Sequence, residues 1–325
     1  MKRLIVRLFL ILSFSHIGII PTVNAQDYPQ RPVHLVIPYA AGGAGDVMGR
    51  LVAERLGAKL GQKVIPENRP GAGSVLAANH ISESTPDGYK LYFGTLAHSL
   101  NATLVPKLPY DSVKDFEFIG KIGQVVFLVV TKPTLGAGNL PELEKMIQKN
   151  PGKFSFGSAG IGSPMHIGVE LFKQLTQTDA LHVPYQGESA ALVGLLGGQV
   201  DLMLCTTTSC ASRLKDGSLK ALAVTAPSRS KLAPDIPTTT EAGLPDFQVY
   251  TWVFLAAAKN TPPHIIERLN VALNDVLADE DFKRRALAVG FETDTNSSPA
   301  AIQSLVISEI DKWKPVIRAA GVPKN

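Results

Sequence analysis

The strongest constraint on the fold is a repeated alternation of short apolar runs with helical patterns. Residues 33–37 are rich in β-branched side chains and stop at Pro38, as a buried strand does. A glycine-rich turn over 40–45 follows, and Asp46 is then predicted to begin a helix as its N-cap. The apolar side of that helix carries Val47, Leu51, Val52, Leu56 and Leu60. This order of elements predicts a parallel sheet covered by helices.

The same alternation continues through most of the chain. Strands are predicted at 33–37, 63–65, 90–94, 125–131, 153–158, 180–183, 200–205, 221–226 and 247–257. Helices are predicted at 46–60, 74–82, 140–150, 164–176, 189–196, 263–277, 281–289 and 299–319. Two strand–helix modules in succession, followed by helices alone, indicate two α/β lobes and a helical tail.

The tail has no sheet of its own, and the simplest packing folds it onto the first lobe. The first lobe is then predicted to comprise 26–124 and 252–325, and the second 125–251. The chain crosses between them near 121–131 and 248–255, and two crossings form a hinge beside a cleft.

The N-terminal 25 residues have the pattern of a signal peptide. Basic residues at 2, 3 and 7 precede an apolar stretch from Leu8 to Ile20, and Val23 and Ala25 form a small-residue cleavage site. The mature chain is therefore predicted to begin at Gln26 and to be exported. A single anchoring helix is the alternative reading, but the stretch is short and interrupted for a span.

The net charge excludes one class of partner. Removing the three basic residues of the signal lowers the formal charge from +4 to +1, and no basic block occurs elsewhere. Nucleic-acid binding therefore has no electrostatic basis in this sequence.

Motifs of the common enzyme classes are absent. The sequence has no Walker A motif, no complete GxGxxG, no GxSxG and no HExxH. His166 and Glu170 lie one helical turn apart, but two ligands do not make a metal site. We therefore expect a binding protein with no catalytic residues, no cofactor and no metal.

Two glycine-rich loops join a strand to a helix and are the main candidates for a binding site. They cover 38–46 and 158–164, with Pro164 at the first position of the next helix. Such loops lie at the carboxyl edge of a parallel sheet, where backbone amides and a helix N-terminus can hold a carboxylate. The alternative for each loop is an ordinary tight turn.

Further candidates follow the third, sixth and seventh predicted strands. They are the segment from Thr95 to Ser99, the turn after Pro184, and the cysteines at 205 and 210. His98 and Tyr185 have a second reading as partly buried side chains satisfied by the backbone. The two cysteines either pair or are two small buried residues. Glu67, Asn68 and Arg69 are interpreted as turn residues without a ligand role.

Several ordered motifs closely resemble the Bug family, the extracytoplasmic receptors of tripartite tricarboxylate transporters. They include Tyr28-Pro29-x-Arg31-Pro32, Pro38-Tyr39-x-x-Gly42-Gly43-x-x-Asp46, Glu67-Asn68-Arg69-Pro70-Gly71-Ala72-Gly73, Pro86-Asp87-Gly88-Tyr89, Ser158-Ala159-Gly160-x-Gly162-Ser163-x-x-His166, His182-Val183-Pro184-Tyr185-x-Gly187 and Gly197-Gly198-Gln199-Val200-Asp201. The likeness covers essentially the whole predicted mature chain.

The resemblance implies a two-lobed type II periplasmic binding protein whose lobes are doubly wound, mostly parallel sheets. It implies a small organic carboxylate ligand held by the second-lobe loop and bridged by waters to the first. The residues implied to line the site are Tyr39, Ala41, Gly42, Gly43, Gly45, Asp46, Thr95, Ala97, His98, Ser158, Ala159, Gly160, Gly162, Ser163, His166, Tyr185, Gln186, Gly187 and Thr206.

The resemblance also implies a partner and limits what is carried over. A monomeric carrier would deliver its ligand to membrane permease subunits or present it to a sensor receptor; an exported enzyme acting on a carboxylate is a weaker rival. Gly45 replaces a residue that is often threonine in the family, which removes a hydroxyl. Thr206 lies in a Thr-Thr-Thr run that is not a family hallmark, so the sequence does not identify the ligand.

Overall fold

The computed structural model describes residues 28–293 and 296–321, and this part of the chain contains ten strands and ten α-helices. The strands are β1 (Val33–Ile37), β2 (Val64–Asn68), β3 (Lys90–Thr95), β4 (Phe116–Thr131), β5 (Phe154–Ser158), β6 (Ala180–Pro184), β7 (Leu202–Thr206), β8 (Lys220–Val224), β9 (Tyr250–Ala258) and β10 (Glu292–Thr293). The helices are α1 (Ala44–Leu60), α2 (Val75–Ser82), α3 (Leu96–Leu104), α4 (Leu140–Lys149), α5 (Pro164–Thr176), α6 (Glu188–Leu196), α7 (Thr207–Lys215), α8 (Pro263–Ala278), α9 (Glu280–Ala288) and α10 (Pro299–Ala319). The predicted signal peptide lies outside the described residues.

The strands form one continuous sheet in the order β2-β1-β3-β9-β4-β7-β5-β6, with β8 and β10 also paired to β4. A first parallel group (β1, β2, β3) and a second parallel group (β5, β6, β7) flank two antiparallel strands, β9 and β4. The predicted α/β fold class is confirmed. The parallel groups are joined through β4 and β9, whereas the sequence pattern suggested two separate sheets.

Strand β4 is much longer than the predicted 125–131. Its first part, from Phe116 to Val126, pairs with β9, and its last part, from Phe127, pairs with β7 and β8. Register shifts interrupt the pairing with β9 next to Gly120 and Gly123, which breaks the period-two pattern that a sequence reading depends on. The predicted hinge segments fall on β4 and β9, and their motion remains a prediction.

Buried apolar side chains form three clusters around this sheet. One lies under α1, α8 and α9; a second lies under α6 and α7; and the largest includes residues of α2, α3, α5 and α10. The C-terminal helices therefore cover the first parallel group, as expected. Helix α10 also reaches α5, where Gln174 Nε2 donates a hydrogen bond of 3.3 Å to the Val316 carbonyl.

Two helices were not predicted from the sequence, α3 and α7. Each follows a strand directly, and the strand's last residue caps the helix: Thr95 Oγ1 accepts from Ala97 N, and Thr206 Oγ1 accepts from Ser209 N. The segment of α7 is rich in serine and threonine, whose hydroxyls compete with the backbone for hydrogen bonds, so its sequence pattern does not indicate a helix. The predicted α1 also begins earlier, at Ala44 after an N-cap Gly43, and Val47 is exposed instead of facing the core.

Within the described residues, no helix combines the length and the apolar character needed to cross a membrane. In the same part of the chain, no group of three or more histidine, cysteine or acidic side chains is arranged to hold a metal ion.

Candidate functional site

The carboxyl ends of the two parallel groups face each other across the middle of the sheet. Strand β3 ends at Thr95, which pairs with Val253, and Val253 pairs with Gly123 of β4. Strand β7 runs in the opposite direction and ends at Thr206, which pairs with Phe127 of β4. Four residues of β4 separate these two ends, roughly 13 Å at the usual rise per strand residue. The loops after β1, β3, β5 and β7 therefore converge on one cleft.

The turn after β1 is held by the buried carboxylate of Asp46. Its Oδ2 accepts hydrogen bonds from the Gly42 amide (2.9 Å) and Arg50 Nε (3.0 Å), and its Oδ1 accepts from Asn68 Nδ2 (2.7 Å). The hydrogen bond from Arg50 lowers the pKa of Asp46 to about 2, although burial of the carboxylate alone would raise it. Asp46 is therefore a positioning residue in the first turn of α1, and the prediction that it is the N-cap is wrong.

Asn68 has a role here that the sequence interpretation missed. Asn68 is the last residue of β2 and lies in register with Ile37. Its side-chain Nδ2 donates a hydrogen bond of 2.9 Å to the Tyr39 carbonyl in addition to its bond to Asp46. Arg50 in turn donates to Asn68 Oδ1 at 2.7 Å. The role of Asn68 could have been inferred from the strand order, because β1 and β2 are neighbouring parallel strands whose carboxyl ends lie at the same edge of the sheet.

Gly45 is explained by the side chain of Tyr39. A Cβ at position 45 would overlap the Tyr39 ring, so a threonine there would displace the ring. Burial of the Tyr39 hydroxyl raises the pKa of Tyr39, and a hydrogen bond with the Thr95 side chain opposes this effect. The ring therefore fills the space that a residue 45 side chain would occupy.

The helices that begin at this cleft differ in how their first amides are satisfied. Side-chain caps are supplied to α3, α5 and α7 by Thr95, Ser163 and Thr206. Glycines stand at the N-caps of α1 and α6, Gly43 and Gly187, and neither helix has a side-chain cap. The space beside both glycines is open. Because uncapped first-turn amides attract anions, these are the two helix starts best suited to hold a carboxylate.

The loop after β5 uses most of its amides internally. Gly160 N donates to Ser158 Oγ (3.1 Å), Gly162 N donates to His166 Nδ1 (3.0 Å), and Ser163 N donates to the Gly160 carbonyl (3.2 Å). Gly160 and Gly162 have φ values of 123° and 76°, a region that favours glycine. These bonds fix the shape of the loop and leave those three amides unavailable to a ligand in this arrangement.

Two stacked imidazole rings form hydrogen bonds with this loop. The rings of His166 and His182 lie 3.8 Å apart and nearly parallel, and Ser158 Oγ lies 2.7 Å from His182 Nε2. Burial is the main cause that lowers the pKa of each histidine to about 4, so both are neutral at pH 7. His166 accepts from Gly162 at Nδ1, which places its proton on Nε2. His182 was part of a recognised motif but was not predicted as a site residue.

A carboxylate lies on the side of the cleft that the second parallel group (β5, β6, β7) forms. Glu188, the first residue of α6, accepts hydrogen bonds from the amide (2.5 Å) and hydroxyl (2.9 Å) of Thr206. Cys205 and Cys210 beside it are free, buried thiols, and Cys210 Sγ lies 3.0 Å from the Thr206 carbonyl. The structure therefore shows the two-buried-cysteine alternative, and it places Glu188 in the wall that the sequence assigned to Thr206.

Five other predicted residues turn away from the cleft or have no polar contact in it. His98 is fully buried, with Nε2 2.8 Å from the Ser112 carbonyl, because it lies on the inner face of α3; its prediction as a cleft residue is wrong. The Tyr185 ring packs on Gly194, and its hydroxyl donates to Gln199. Ala41 and Gln186 are exposed, and Ala159 packs against the core.

A cavity of about 440 Å³ adjoins the cleft between the two halves of the molecule. The sequence-predicted residues that line it are Ala97, Gly162 and Ser163. The side chain of Asn101, not predicted, also lines it and donates a hydrogen bond of 2.8 Å to the Gly73 carbonyl. The turn at 39–46 is not part of this cavity's lining, so the cavity is one section of the interlobe space.

Comparisons with known proteins agree with this geometry. Residues 48–322 match the model of the tripartite tricarboxylate transporter family receptor. The protein BugT of Bordetella pertussis is 33% identical over 306 residues, which cover 94% of each chain. The solved structure of the periplasmic binding protein BugD is 34% identical with a TM-score of 0.73, over 92% of this chain and all of that one.

A further solved structure contains a ligand. MatC from Rhodopseudomonas palustris, with bound malate, is 33% identical with a TM-score of 0.72, over 89% of this chain and all of MatC. Both the family match and the relatives extend over most of the sequence. The chain belongs to the tripartite tricarboxylate transporter receptor family of periplasmic solute-binding proteins.

Proposed function

We propose that this protein captures one small organic carboxylate in the cleft between its two parallel groups and releases it unchanged. The observation that carries the proposal is the pair of uncapped helix starts, at Gly43 and Gly187, on opposite sides of facing strand ends. Hydrogen bonds from amides to a carboxylate are charge-assisted and are roughly twice as strong as neutral ones. The malate bound to MatC supports a carboxylate as the ligand class.

Strands β4 and β9 would act as the hinge. They are the two connections that cross between the lobes proposed at 26–124 with 252–325 and at 125–251. A ligand that contacts both helix starts favours the closed arrangement, because only closure brings both sets of amides to it. The closed form would then be recognised by the permease subunits in the membrane.

The remaining parts of the proposal concern location and chemistry. The N-terminal pattern supports export to the periplasm with cleavage before Gln26, and the carrier is proposed to act as a monomer. Ser158 Oγ lies 2.7 Å from His182 Nε2, but the same hydroxyl also bonds to the amide and the carbonyl of Gly160, so this pair holds the shape of the loop after β5. The proposed role is therefore binding without turnover.

A calorimetric and thermal-shift screen tests the proposal. The chain from Gln26 would be titrated with malate, other di- and tricarboxylates, monocarboxylates and the corresponding amides. We expect saturable binding heats and a rise in melting temperature with acids only, with about 2.7 kcal/mol of stabilisation at a hundredfold excess over the dissociation constant. NMR of the recovered acid should show no conversion. Stabilisation by the amides, or turnover of an acid, would contradict the proposal.

A further inference from the structure

Three motifs that carry the family resemblance contribute residues to a cavity that is separate from the cleft. Residues from 28–32, 67–70 and 86–89 line a space of about 370 Å³ under α2. His34 and Lys90, which also line it, are register partners near the amino ends of β1 and β3. Glu67 and Arg69, which line it too, lie at the carboxyl end of β2, where the Arg69 amide donates a hydrogen bond of 2.8 Å to the Ile37 carbonyl. No residue of the loops at 39–46 and 158–164 lines this cavity, so it is separate from the cleft.

Both acidic side chains of this cavity already have partners. Asp87 Oδ2 accepts a hydrogen bond of 2.9 Å from Arg31, whose guanidinium also lies 3.8 Å above the ring centre of Tyr89. Glu67 Oε1 lies 2.6 Å from His34 Nδ1. Neither carboxylate bonds to the other two cations of the cavity.

Those two cations are Lys90 and Arg69. Lys90 is partly buried, and its Nζ lies 3.3 Å from His80 Nε2, an imidazole and not a carboxylate. Among the described residues, Arg69 has no side-chain partner. A partly buried ammonium without an acidic partner loses hydration that nothing in the fold replaces.

Charged side chains of both signs surround His80. They are Lys90 and Arg69, with Glu67 and Glu83 opposing them. Burial, followed by Lys90 and Arg69, lowers the pKa of His80 from its usual value. The neutral ring can then accept a hydrogen bond from the Lys90 ammonium, which leaves its other two N–H groups for a ligand.

We propose that this cavity is a second anion site, which binds one carboxylate group between Arg69 and Lys90. Three cations line the cavity, Arg31, Arg69 and Lys90, against the two carboxylates of Glu67 and Asp87, and one further carboxylate would balance these charges. The fork of Arg69 suits the two oxygens of a carboxylate, and the Lys90 ammonium supplies a point charge beside it. The carboxylate comes either from a free small acid or from an acidic side chain of a protein partner.

The test uses the six histidines of the predicted mature chain as reporters, in protein labelled at histidine. His34 and His80 report on this cavity, whereas His166 and His182 report on the cleft. The probes are succinate, the blocked peptide acetyl-Glu-Glu-Glu-amide, and acetyl-Gln-Gln-Gln-amide as a neutral control. We expect the acidic probes to shift the His34 and His80 signals saturably and to raise the pKa of His80, because an anion offsets the two cations.

The variant R69Q/K90Q should weaken this effect at least tenfold, while K145Q/K149Q, which removes two exposed charges from α4, should not. Each single variant provides a check if the double one folds poorly. Tighter binding of the peptide identifies a protein side chain as the source, and tighter binding of succinate a free acid. Silent His34 and His80 signals, or shifts that persist in R69Q/K90Q, would overturn the second site. Responses of His166 and His182 test the cleft independently.

Discussion

Supplying α1 with a side-chain cap should strengthen the helix and weaken ligand binding. Gly43 has φ −80° and ψ 166°, which any residue adopts at an N-cap, and no atom lies within 4 Å of the Cβ position. In Gly43→Ser the new hydroxyl accepts a first-turn amide that the ligand carboxylate would otherwise use. The free energy of unfolding should be unchanged or rise by a few tenths of a kcal/mol.

The expected loss of affinity follows from the bond that is replaced. A hydrogen bond to a charged group contributes about 1.5–3 kcal/mol, so Gly43→Ser should raise the dissociation constant about 10- to 150-fold. Gly43→Asp adds repulsion: two like charges about 5 Å apart at an effective dielectric of 20 repel by about 3 kcal/mol. Its affinity should therefore fall further than that of the serine variant.

Gly43→Ala is the matched control, because it adds a Cβ but no hydrogen-bond acceptor. Its dissociation constant should stay within about twofold of the wild-type value. Isothermal titration with the acid found by the screen gives the affinities, and urea unfolding gives the stabilities. Equal affinities for the serine and alanine variants would refute the assignment of the α1 amides to the ligand.

Three other predictions concern groups inside the fold. The pKa of His182 is about 4 in the folded protein and about 6.5 in the unfolded chain. The free energy of unfolding should therefore fall as the pH is lowered from 6.5 to 4, because in this range the unfolded chain binds a proton that the folded protein does not. Urea titrations at several pH values should show a shallower decline for His182→Gln. Asp46→Asn should cost about 2 kcal/mol at pH 7, whereas Asp311→Asn, on the exposed face of α10, should cost almost nothing, and equal losses would contradict the buried network. Cys205 and Cys210 should react with a thiol reagent only after unfolding, because the hydrogen bond between them and their burial raise the pKa of Cys205; rapid labelling of the native protein would be inconsistent with this.

Local chemistry made much of the architecture predictable. Helix α5 begins at Pro164 and α10 at Pro299, as predicted, because proline suits a first helical turn and the preceding serine caps it. The long strand β4 was underestimated, since its glycines and register shifts hide the pattern until β9 is placed beside it.

The candidate site was predictable only in outline. The glycine turns after β1 and β5 marked the right edge of the sheet, but both contain amides already used within the turn. His98 illustrates the limit most clearly: it follows a strand at that edge, yet α3 begins at once and turns the ring into the core. Its direction depends on a helix that the sequence pattern did not reveal.

The sequence by itself determined the order of most strands and helices, the family and the positions of the glycine turns, because these depend on neighbours along the chain. The tertiary structure decided which amides remain free, why Asp46 is bound to Asn68, and how His166 stacks on His182. Those pairs come from different strands and helices, so their contacts exist only once the sheet has brought the elements together.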